Sequence, residues 1–144
     1  MKTTRVTTAA KTTFIIVVTL FAMAINTFAQ NAKNQNPVFN EYAIKNINHG
    51  IQDDIVGIKK DCIYMAGYYK LTETVDALIA QLEKEKDPKV RVLISVSLLR
   101  IGDEEGMKAV YIASLTEKDP FALHMFKSVV YNYCSERNQR LSLR

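Results

Sequence analysis

The sequence predicts an all-α fold: a short α-solenoid of three antiparallel helical hairpins with a period of about 32 residues. Three observations carry this prediction. The tetrapeptide Glu85-Lys86-Asp87-Pro88 recurs unchanged, one period further on, as Glu117-Lys118-Asp119-Pro120. Apolar residues then recur at helical spacing, so that Val90, Ile94 and Leu98 fall in register with Ala122, Phe126 and Val130 downstream and with Ile58, Cys62 and Ala66 upstream. No stretch after Pro37 alternates polar and apolar side chains long enough to suggest a sheet.

The segment 1–29 reads as a secretory signal peptide and stands apart from the fold. Lys2, Arg5 and Lys11 precede Phe14–Ile25, a run without a charge, and Thr27-Phe28-Ala29 offers a small residue at the cut. That apolar run is well short of the ~20 residues that cross a bilayer, so cleavage between Ala29 and Gln30 is expected rather than a stable membrane anchor. The chain is therefore expected to be exported, to the periplasm or outside the cell. The segment 30–37, ending in Pro37, is polar and low in complexity and reads as a flexible linker.

Removing the leader changes the meaning of the charge. The whole chain carries 19 basic and 15 acidic residues, a formal +4, but three of the basic ones lie in the leader. The remaining +1 gives no argument for nucleic-acid binding.

The repeat domain is expected at 38–134, with hairpins at 38–50 and 54–69, 72–85 and 88–101, 104–117 and 120–134. Asp87 and Asp119 suit N-caps, and Pro88 and Pro120 suit the first helical position, where the missing N–H has no partner to lose. Gly102-Asp103 reads as a left-handed stop followed by the cap of the next helix, and Gly50 as the end of the first helix. The segment 135–144, with Arg137, Arg140 and Arg144 against Glu136, reads as a short basic tail with a solvated, frayed end.

Asp87-Pro88-Lys89-Val90-Arg91, the small or apolar residues that follow, and Ile101-Gly102-Asp103 resemble the HEAT repeat. The similarity is greatest to the short bacterial HEAT-like units first noticed in phycobilin lyases, and it extends from Val38 to Cys134. Lys59 and Leu123 stand where Arg91 stands in the middle unit. The resemblance implies that Arg91 and Asp87 belong to a hydrogen-bonded ladder between repeats. It also implies that the second helix of each hairpin lines a concave face.

On that face the register aligns Lys60, Val92 and His124 in one row and Tyr64, Val96 and Ser128 in the next. Val92 and Leu99 are expected to be exposed unless something covers them. Tyrosines gather at Tyr64, Tyr68 and Tyr69 and again at Tyr131 and Tyr133, a residue type favoured where proteins meet. Lys60, Tyr64, Val92 and His124 are the candidate contacts for a protein or peptide partner.

No catalytic set stands out. His49 and His124 fall in different units, and no third ligand lies near His49 and Asp53 to complete a metal site. No Gly-rich loop is present to cradle a phosphate, and acid pairs such as Asp53-Asp54 and Glu104-Glu105 sit at helix starts. Cys62 and Cys134 read as separate small core residues. The expected function is therefore a non-enzymatic binding or scaffold module without a cofactor. Two alternatives stand beside it: a chromophore or small-molecule lyase or carrier, implied only by the bacterial relatives, and a self-associating structural protein.

Overall fold

The computed structural model describes residues 39–142, and the signal-peptide and linker readings lie outside them. Every regular element in this span is helical: α1 (Glu41–Ile51), α2 (Val56–Tyr68), a 3-10 turn (Thr72–Thr74), α3 (Val75–Lys84), α4 (Pro88–Ile101), α5 (Glu104–Thr116) and α6 (Pro120–Ser142).

The helix starts follow from local chemistry. Asn40 accepts the N–H of Ala43 at 2.8 Å, Asp87 that of Lys89 at 2.8 Å, Asp103 that of Gly106 at 2.9 Å and Asp119 that of Ala122 at 2.9 Å. Each bond satisfies a first-turn donor that has no partner within its helix. The stop of α4 is Gly102, whose φ of 79° lies in the left-handed region that a side chain disfavours.

Packing sorts the helices into two sets. Each of α1, α3 and α5 packs on the helix that follows it; in addition α1 meets α3, α3 meets α5, α2 meets α4 and α4 meets α6. Between the sets lies one core, with Ile51, Ile63, Leu78, Ile94, Leu98 and Phe126 among its fully buried side chains. Where α2 crosses α4, Gly67 lies against Ser97, and the buried Ser97 hydroxyl donates to the Ile63 carbonyl at 2.9 Å.

The first helix ends where expected, one residue after Gly50, with Gln52 as its C-cap. Gly50 itself is buried, and an added Cβ there would overlap the Cys62 thiol, so glycine serves closeness at that position. Several expectations are corrected. The C-terminal tail is not frayed over the described residues, because α6 runs on to Ser142. The position corresponding to Gly102 is Cys134, so nothing turns the chain. Arg137 also reaches Glu104 on α5 at 3.6 Å.

Cys62 is half-buried against the core, but Cys134 is exposed, so the core reading holds only for the first. Val92 and Leu99 are not bare. Both are half-buried and packed on the core by neighbouring helices, so their apolar character needs no external cover.

The Glu-Lys-Asp-Pro turns have the same internal geometry in both copies. Glu85 Oε1 accepts the N–H groups of Lys86 and Asp87 at 2.9 and 3.0 Å, and Glu117 Oε1 accepts those of Lys118 and Asp119 at the same distances. The other carboxylate oxygen takes a cation from earlier in the chain, at the same sequence offset in both copies. That cation is Lys59 at 3.1 Å for Glu85 and Arg91 at 2.8 Å for Glu117. Arg91 therefore pairs with Glu117 and not with Asp87, which is occupied in capping α4.

Burial alone would raise the Glu85 pKa. Hydrogen bonds from the Asp87 N–H, Lys59, Gln81 and the Lys86 N–H outweigh it and hold the carboxyl down at about 2. A carboxyl depressed in the folded state stabilises above its unfolded pKa, and the contribution fades as pH falls through the folded value. Stability should therefore drop between about pH 4.5 and pH 2. In urea titrations across that range, Glu85→Gln should flatten the dependence. An equally steep slope in the variant would refute the assignment.

Candidate functional site

The α2, α4 and α6 helices lie side by side, and their residues facing away from the first-helix set form the candidate site. One part of it is aromatic. Tyr64 and Tyr68 lie one turn apart on α2, and their rings stack with centroids 5.7 Å apart. Tyr69 meets Tyr68 edge-on at 4.9 Å and Phe39 at 4.9 Å, which ties the pair to the start of the described chain. From α4, the Arg100 guanidinium lies 5.5 Å from the Tyr68 ring centroid, a cation–π contact that positions both groups. Tyr64 and Tyr68 remain 52% and 51% exposed, so rings held in place by neighbours still offer about half their surface.

The four contacts named from sequence fall on three adjoining helices. Lys60 is half-buried on α2, Tyr64 is exposed on the same helix, Val92 is half-buried on α4 and His124 is exposed on α6. The structure joins Tyr64 directly to Tyr68; it places Val92 largely within the packing. Arg100 was missed. Its signal was available in the register, since it falls one period after Tyr68.

A second concavity, a groove of about 490 Å³ between α3 and α5, was not foreseen. Ile79, Leu82, Ala109 and Ile112 line it, with Glu83 and Glu105 at its rim. Arg91 also borders it, but its guanidinium is committed to Glu117 and to the carbonyls of Leu82 and Glu85 at 2.7 and 3.3 Å.

Burial raises the Cys62 thiol pKa, and the nearby negative charges of Asp61 and Asp53 raise it further, which opposes thiolate formation. His49 lies on α1 and His124 on α6. Among the described residues no three His, Cys, Asp or Glu side chains gather as a metal-binding group, and no helix is long and apolar enough to cross a membrane.

No protein-family model matches the chain, and no curated protein or solved structure matches it either.

Proposed function

We propose that this chain is an exported, non-enzymatic helical-repeat module of the HEAT-like type that binds a protein or peptide partner on its second-helix face. The repeat reading is supported by the two matching rungs, Lys59–Glu85 and Arg91–Glu117, which have equal sequence spans and stand one period apart. It is also supported by the packing of first helices on first helices and second on second.

The observation that carries the binding assignment is the stacked Tyr64–Tyr68 pair, half-exposed and fixed by Arg100. Rigid, partly exposed Tyr presents a large contact area that loses little side-chain entropy on binding, a feature of interface anchors. Tyr64 replaces Val92 as the position to test, because an acid at half-buried Val92 would disturb folding as well as binding.

Tyr64→Ala should leave helical content unchanged by circular dichroism and reduce retention of the partner from an envelope extract by about tenfold, the scale of a lost interface anchor. Retention unchanged by both Tyr64→Ala and Tyr68→Ala would refute the site. N-terminal sequencing of the exported protein should begin at Gln30, and an intact Met1 would refute the export reading.

A further inference from the structure

We propose that the partner segment taken by this face is an acidic peptide, an inference that rests on the protein-binding reading above. The chain without its leader is almost neutral, but its folded charge is sorted by helix set. The first helices α1, α3 and α5 carry three basic and five acidic residues, a formal −2. The second helices α2, α4 and α6 carry eight basic residues against only two acidic ones, Asp61 and Glu136, a formal +6.

Half of those eight cations are occupied internally. Lys59 and Arg91 hold the rungs, and Arg137 and Arg140 reach Glu104 and Glu136. Lys60, Lys89, Arg100 and Lys127 take no part in the ion pairs among the described residues, and of the two acids Asp61 alone is likewise outside them. All but Lys60 are exposed, but Lys127 stands at the register position where Ile63 and Ser95 are buried, so Lys60, Lys89 and Arg100 are the cations of this face.

Arg100 is the central member. Its guanidinium flanks the Tyr68 ring, and its planar fork suits a carboxylate that accepts from two N–H groups at once. A peptide carrying Asp or Glu beside apolar residues would engage the cation and the tyrosine rings together. A charged polymer backbone fits less well. Along α4, half-buried Val92, Val96 and Leu99 lie between Lys89 and Arg100, where a phosphate chain would need further positive charge.

The test is selection of a random phage-displayed peptide library on the full chain, followed by anisotropy titration of a synthetic representative. Expected are sequences enriched in Asp and Glu over the starting library. The representative should bind about tenfold more weakly to Arg100→Glu, and more weakly again as salt is raised. Arg100→Gln, which deletes the charge without reversing it, should fall between, with circular dichroism unchanged in both variants.

Neutral or basic peptides whose binding is lost in Tyr64→Ala would overturn the acidic preference and leave the protein-binding reading standing. Absence of any selected peptide sensitive to Tyr64→Ala would overturn both. Equal or tighter binding of a short oligothymidylate, or of phosphatidylglycerol vesicles, with the same dependence on Arg100, would overturn a peptide as the occupant.

Discussion

Replacing Arg91 by Leu, the residue that stands 32 positions later in the sequence, should cost about 3 kcal/mol of folding stability, as expected for breaking a part-buried charge pair together with two further hydrogen bonds. For a domain of about 100 residues this lowers the melting temperature by roughly 12–20 °C. The Arg91 side chain is 16% exposed and that of Glu117 9%, so solvent replaces the lost partner only in part. Arg91 also donates to the carbonyls of Leu82 and Glu85 at 2.7 and 3.3 Å. Leu82 lies in the last turn of α3, where carbonyls have no acceptor role inside the helix and need an outside donor. One guanidinium thus serves the end of α3 and a carboxylate in the turn between α5 and α6.

Two comparisons isolate that role. Glu117→Gln in the Arg91→Leu background should recover part of the loss, because a neutral amide is easier to bury than an unpaired carboxylate. Lys59→Leu should cost less than Arg91→Leu, since the ammonium makes a single bond to Glu85 at 3.1 Å. Urea denaturation of these variants beside the parent decides the matter. A loss under about 1 kcal/mol for Arg91→Leu, within the range of a surface pair, would show that the pair does not tie α4 to the turn before α6.

This rung also marks how far the sequence could be read. The repeated Glu-Lys-Asp-Pro turn, the Asp caps and the left-handed Gly102 were legible because each is set by its own local backbone. The partner of Arg91 was not, because the nearest acid in sequence, Asp87, had a stronger local use as a cap. The information lay instead in register, with Lys59 and Arg91 both standing at the same offset ahead of a repeated Glu.

Gly50 marked the end of α1 to within one residue, but its packing role there was not legible. A glycine can serve a left-handed turn or a close approach, and only the position of Cys62 distinguishes them here. The length of α6 was legible in hindsight from the missing Gly at 134. The sorting of charge between the two helix sets depends on helix assignment, and a net count over the chain conceals it. Of the candidate site, Tyr64 and its neighbour Tyr68 were visible as a cluster. Arg100 was hidden because it joins them across α2 and α4 rather than along one helix.

Gly67→Val should destabilise the protein by about 3 kcal/mol, at the upper end of the usual cost of overpacking. A Cβ at Gly67 would lie 2.7 Å from Cα, Cβ and Oγ of Ser97. Because Cα belongs to the backbone of α4, no side-chain rotation relieves the overlap, and the helices must separate. That separation also stretches the Ser97 hydroxyl bond to the Ile63 carbonyl, which is buried at the most extensive helix contact in the domain. A carbonyl that already accepts within α2 tolerates the loss; a buried hydroxyl without an acceptor does not.

Gly57, near the start of the same helix, provides the control. An added Cβ there meets nothing within 4 Å, so Gly57→Ala should stabilise by up to about 1 kcal/mol through helix propensity alone. If propensity governed both sites, Gly67→Ala would be stabilising as well. If contact governs Gly67, it is destabilising despite the same gain, and Gly67→Val more so. Equal and favourable shifts for the two alanine variants would mean that α2 and α4 can slide apart at little cost. The second-helix face would then lack the fixed spacing that holds Arg100 against Tyr68.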